Sequence, residues 1–194
     1  QLQDTNVRHR TVNSLMIRYF IDRQHAERVA EMALELATQL QNRWDLQKFE
    51  GMSMLRSSAM LHELGLLIEY KNHHHHGAYI ISHSDLPGFT RAQQQLVMAL
   101  VHNHRAEIMP EVLARQTMTS VMLAGRLTRI LRLAVILSMR RRHEVLPQVA
   151  ISSKGEQLVL TMPAGWLEQH PLMRAELEQE VQYQQQAGWE LLIK

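Results

Sequence analysis

The sequence has no cysteine. No disulfide staples the fold, and thiolate chemistry, whether as a metal ligand or as a nucleophile, is excluded. Proline and glycine are sparse before residue 145, so little interrupts regular structure there. Aromatic residues are few, while leucine, alanine, methionine, glutamine and arginine dominate, all strong helix formers. No apolar run approaches the roughly 20 residues of a membrane span. The opening residues Gln1 to Arg10 are polar, with neither a signal-peptide core nor an initiator methionine, so a start inside a longer protein is expected. A location in the cytoplasm, away from membranes, is the matching expectation. The formal net charge is only +2, which carries little information about partners.

What is present is helical periodicity. Val12, Leu15, Met16 and Tyr19 share one face of a first helix. Asp22 is a good N-cap for a second helix over 23–44, with Ala26, Val29, Ala30, Ala33, Leu34, Ala37 and Leu40 on one side. A third helix is expected over 49–67, with His62-Glu63 late in it and Gly65 loosening its last turn. Asn72 to His76 read as a polar loop, 77–82 as a short apolar piece, and Ser84 to Phe89 as a turn. Thr90 caps a helix reaching about His104, Pro110 opens a short one, and 120–142 form a long one.

The grammar changes after Pro147. Val149, Ile151, Leu158, Leu160 and Met162 alternate with polar residues around Ser153-Lys154-Gly155-Glu156, a hairpin signature. A helix over about 172–185 and a final strand around Trp189, Leu191 and Ile193 complete the chain. The expected fold is mainly α: a helical bundle over 1–146, with a small α+β appendage of three strands and a helix over 147–194, docked on it.

Charge and histidine mark the candidate sites. Arg126, Arg129, Arg132, Arg140, Arg141 and Arg142 fall along one expected helix and at its basic end. They read either as a solvated face or as a surface for phosphate-rich ligands. Twelve histidines are many for this length. Imidazoles and carboxylates gathered from several helices can hold a metal. His25, His62 and His104 are the suggestive set, while His73 to His76 read as a solvated run able to take up nickel or zinc adventitiously. Adjacent residues 62 and 63 diverge by about 100° on a helix, so both reach one pocket only at a helix edge.

These residues resemble a known pattern. The order His25, then Ala59-Met60-Leu61-His62-Glu63-Leu64-Gly65, then His76-Gly77-Ala78-Tyr79-Ile80-Ile81, then His104-Arg105 is similar to HD-type phosphohydrolases. Ser84-Asp85-Leu86-Pro87-Gly88-Phe89 resembles one subgroup, the C-terminal region of the Ppx/GppA phosphatase family. Met139 to Arg142 and Gly165 to Leu172 look closer to its guanosine pentaphosphate branch than to its exopolyphosphatases.

The resemblance implies an HD-like bundle preceded by two actin-like domains that hold the catalytic machinery and, normally, magnesium. It implies a polyanionic phosphate substrate, guanosine pentaphosphate or polyphosphate, and a homodimer. It implies no catalytic residue and no cofactor in this chain, and nucleic acid is an unlikely partner. Glu63 stands where the pattern has aspartate, and Val135 where it has a late aspartate ligand. Metal binding at His25, His62 and Glu63 is therefore expected to be vestigial or weak. Polyanion contacts fall to Arg10, His76, Arg105, Arg140, Arg141 and Arg142, drawn from a wider set that includes Arg8 and His74. A stand-alone HD hydrolase, with His104 as a further metal ligand, and a pure oligomerisation module are the alternative functions.

Overall fold

The computed structural model describes residues 2–139 and 148–194. Helix α1 runs over Leu2–Arg18 and α2 over Arg23–Trp44. The Asp22 side chain accepts from the His25 backbone N–H at 3.1 Å, so the cap expected from sequence forms. Helix α3 spans Gly51–Leu61 and stops just short of His62. A 3-10 turn over Leu64–Leu67 follows. The single helix expected over 49–67 is thus two pieces, and His62 and Glu63 sit at the break.

The break has a packing cause. A Cβ on Gly65 would lie 2.0 Å from the His73 carbonyl oxygen and 2.7 Å from the Gly77 nitrogen. The missing side chain lets helix α4, His73–His83, lie directly on this turn. Residues 73–76 are therefore the first turn of a helix and not a loop, and 77–82 continue it. The polar run misled because four histidines look solvated in sequence, yet His73 and His74 are buried.

Helix α5 runs over Arg91–His102 behind a capping box formed by Thr90 and Gln93. Helix α6 is short, Pro110–Arg115, and α7 spans Val121–Leu137 with Ser120 as its cap. The expected continuation of α7 through Arg142 lies outside the described residues.

Strands β1 (Ala150–Lys154) and β2 (Gln157–Thr161) form the expected antiparallel hairpin, with Gly155 at φ 59° in the turn. A short helix α8 (Trp166–Gln169) and α9 (Pro171–Gln186) precede β3 (Leu191–Ile193), which pairs parallel to β2. The hydrophobic core is continuous from Val12 in α1 to Leu191 in β3. Ile151, Leu158 and Leu160 of the sheet join Leu36, Leu40 and Leu127 of the helices in it.

Buried arginines fix this junction. Arg129 and Arg132 of α7 are each only 1% exposed. Arg132 donates from Nε and Nη2 to both carboxylate oxygens of Glu180 in α9 at 2.7 and 2.9 Å. It also donates to the Asn103 and Ala106 carbonyls, each at 2.7 Å. Arg129 donates to Gln184 Oε1 and to the Glu156 and Glu190 carbonyls. Arg126 pairs with Glu156 and donates to the Trp44 carbonyl. The reading of these three as a solvated or anion-binding face is corrected: they are internal ties, with every guanidinium nitrogen of Arg129 and Arg132 donating to a protein acceptor. Their i, i+3 spacing matched both readings, and only the late partners Glu180, Gln184 and Glu190 decide between them. Among the described residues no helix is long and apolar enough to cross a membrane.

Candidate functional site

The first candidate site is a histidine-filled interior at the α3–α4 break. His25 enters from the first turn of α2, and His62 and Glu63 from the segment after α3. One donor atom from each lies within 4.8 Å of the other two, and all three residues are buried. The helix-edge condition on residues 62 and 63 is met because the helix ends before them.

Sequence reasoning missed how far this cluster extends. The His62 and His104 rings are 5.1 Å apart, as are those of His73 and His104. The His74 ring lies 6.2 Å from His104 and 4.2 Å from His75, which in turn lies 4.5 Å from His102, tilted by 41°. Seven histidines thus form a continuous series from the exposed His75 inward to His25. The signal lay in the sequence as four histidines at 73–76, but seeing it required placing that run on a helix facing the end of α5.

Proton positions follow from the hydrogen bonds. His62 Nδ1 is 2.5 Å from the Ala59 carbonyl and His104 Nδ1 is 2.6 Å from the Val101 carbonyl. A carbonyl can only accept, so each Nδ1 carries the proton and each Nε2 presents a lone pair. Burial, then the neighbouring His62 and His73, hold His104 well below the usual imidazole pKa. Burial and then Arg105 lower His73 to about 4, while burial and then His75 lower His74 to about 3. His73, His74 and His104 are thus held as neutral imidazoles at neutral pH.

A consequence is acid sensitivity. Unfolding returns these histidines to their ordinary pKa near 6.5, so below that pH the unfolded chain binds more protons than the folded one. Their contribution is complete above about pH 6.5 and is lost as pH falls toward 4 at His73 and 3 at His74. Urea midpoints should decline between pH 6.5 and 5, where ordinary carboxylates remain ionised, by on the order of 1 kcal/mol per neutral histidine. A midpoint that is flat or rises over this interval refutes the reading.

The second candidate site is a basic groove between α1, α2 and α3, about 350 Å³ in volume and lined by His9, Arg10, Arg23 and Arg56 with Glu27 opposite. Arg23 is committed to Asn13 and lies 4.0 Å from Glu27. Among the described residues neither Arg10 nor Arg56 forms a salt bridge. Arg10 is exposed, on α1, as a ligand contact would need. Arg56, the sixth residue of α3, was not singled out from sequence because nothing local marks it. Arg8 points the other way and pairs with Glu50 at 3.1 Å.

The remaining candidates are dispersed. His76 is half-buried on α4, with Nε2 3.8 Å from Glu69. Arg105 is also half-buried, donating to the Lys71 carbonyl at 2.5 Å and lying over the Tyr70 ring. It does not share the groove of Arg10. Instead it lines a cavity of about 410 Å³ between α7 and α9, together with His104, Val135, Arg132 and Tyr183. Arg140, Arg141 and Arg142 lie outside the described residues.

A helical body with an imidazole-rich interior, an arginine groove and an α+β unit pinned by buried arginines defines the class of protein. Residues 7–181 match the family described as Ppx/GppA phosphatase, domain III. The chain belongs to that family. It is 47% identical over 186 residues to a guanosine-5'-triphosphate,3'-diphosphate pyrophosphatase of Aeromonas hydrophila, covering 96% of this chain and 38% of the relative. Proteins of the same name from Pseudoalteromonas translucida and Vibrio vulnificus are 39% and 40% identical, over 100% of this chain and 39% of each relative. The chain spans about two fifths of the length of these curated relatives.

Proposed function

We propose that this chain is the accessory, polyanion-binding part of a phosphoanhydride hydrolase that converts guanosine pentaphosphate to the tetraphosphate. The observation that carries the reading is the groove lined by both Arg10 and Arg56, neither of which forms a salt bridge among the described residues. The names of the relatives supply the substrate. A nucleotide bearing five phosphates needs positive charge along its path, because each transferring phosphoryl group carries several anionic oxygens. In this reading the attack on the terminal phosphate belongs to actin-like domains preceding this chain, with magnesium held there, in a cytoplasmic homodimer.

The groove is separate from the histidine interior, so binding charge and buried imidazole serve different ends. A stand-alone hydrolase would need a metal site with a coordination position open to water. Val135 offers no donor at the position where the resemblance places an aspartate.

The test is the double variant Arg10→Ala, Arg56→Ala in the full-length protein. The expected result is a rise of about tenfold in KM, equivalent to about 1.4 kcal/mol, with kcat within about twofold. The salt dependence of kcat/KM should become shallower, since two cations have left the path. An unchanged KM and an unchanged salt slope would remove the groove from the substrate path.

A further inference from the structure

Two consecutive residues that are not glycine take left-handed backbone just before α3: Phe49 at φ 53° and Glu50 at φ 56°. Such a pair is unfavourable for L-residues and persists only where the surrounding contacts over-determine it. Here the contacts converge on the Glu50 carboxylate. Arg8 of α1 donates from Nη2 to its Oε1 at 3.1 Å and from Nη1 to its Oε2 at 3.4 Å. Gln93 of α5 donates from Nε2 to Oε2 at 2.6 Å, while its own Oε1 accepts from the Thr90 backbone N–H in the capping box. Three residues along α1 from Arg8, the Thr11 hydroxyl donates to the Pro87 carbonyl at 2.6 Å, so the turn over 84–89 is a second anchor. Arg8, Thr11 and Gln93 are each more than nine-tenths buried.

These anchors matter because of what the start of α1 lacks. Among the described side chains, the first of α1 to join the hydrophobic core is Val12, followed by Leu15 and Met16. The half of the helix that carries Arg10 is therefore seated by hydrogen bonds and one ion pair, and the core holds only the half beyond it. Arg8 and Thr11 share one face of α1, as residues three apart do. Arg10 is turned about 200° from Arg8 and lines the basic groove with Arg56. We propose that Glu50 is a positioning residue for this groove: by binding Arg8 and Gln93 together it seats the first half of α1 and so presents Arg10 to the anion. The role rests on the groove reading above and adds the residue that sets its geometry. The left-handed backbone at 49 and 50 turns one carboxylate toward α1 and α5 at once, which is why a strained pair is kept where two glycines would be at ease.

Glycine at position 50 separates strain from positioning, because it adopts φ 56° freely and has no carboxylate. Glu50→Gly in the full-length protein should raise KM for guanosine pentaphosphate by about threefold to fivefold, with kcat changed by less than about twofold. In an Arg10→Ala background the same substitution should add less than about 1.5-fold, since the side chain through which it acts is gone. Phe49→Gly relieves the neighbouring residue and keeps the carboxylate, so KM should stay within about 1.5-fold of the parent. Hydrogen exchange on the 194-residue chain reads the seating of α1 without the reaction. Amides of residues 7–11 should exchange on the order of tenfold faster in Glu50→Gly, while those of α2 keep their protection. Unchanged exchange at 7–11 overturns the proposal, as does a KM rise of equal size with and without Arg10. The groove reading fails separately, when Arg10→Ala with Arg56→Ala leaves KM unchanged. Faster exchange at 7–11 beside that result confines Glu50 to seating α1 and overturns its part in anion binding.

Discussion

Arg132→Ala should destabilise the chain by about 3–5 kcal/mol, the cost typical of removing one partner from a buried ion pair. The size follows from what is stranded. Glu180 is 2% exposed and would keep a buried carboxylate bonded only to the Gln184 amide. The Asn103 and Ala106 carbonyls would lose their guanidinium donors as well. Those two carbonyls flank His104, so the loss reaches the end of α5 and the interior behind it. Urea denaturation measures the effect. A companion variant, Arg132→Met with Glu180→Leu, removes both charges and should recover most of the loss, because two apolar side chains leave no stranded ion. If the single variant costs less than about 1 kcal/mol, the pair is not the tie described above.

Gly65→Ala should be comparably severe, at about 3–5 kcal/mol. The obstacle is backbone and not a movable side chain: the new methyl would meet the His73 carbonyl oxygen at 2.0 Å and the carbonyl carbon at 2.8 Å. Helix α4 must shift away, and the histidines at its start move with it. Gly155→Ala is the useful contrast, because nothing lies within 4 Å of a Cβ there, although its φ of 59° exacts a smaller backbone cost. Thermal unfolding of the two variants should therefore separate clearly. Equal melting temperatures would show that α4 can slide without penalty.

The sequence exposed much of this fold because its local signals agreed with its long-range ones. Asp22 and Thr90 were legible as caps, and each cap forms. The alternation of Ile151, Leu158 and Leu160 was legible as a hairpin because a one-residue shift would turn those side chains out of the core. Two places were opaque for one reason: a polar residue does not declare its partner. His73 and His74 look like loop residues until the glycine at 65 lets their helix descend onto the turn before it. Arg129 and Arg132 look like a wet face until α9 supplies acceptors 48 and 55 residues later. His25, His62 and His104 were legible as a set by order along the chain, yet their continuation through His73 and His74 needed α4 placed on the turn before it.

Those sequence separations also bear on how the chain matures. Arg132 waits 48 residues for Glu180, and Arg129 waits 61 for the Glu190 carbonyl. Synthesis proceeds from the N-terminus, so α7 emerges from the ribosome before the Glu180 carboxylate, the Gln184 amide and the Glu190 carbonyl that its two arginines bind. Burying them early would strand charge in the core. The nascent helices must stay loosely assembled until the final turns of α9 and the three residues of β3 arrive. Helix α9 and strand β3 are therefore the latch on which closure around α7 depends.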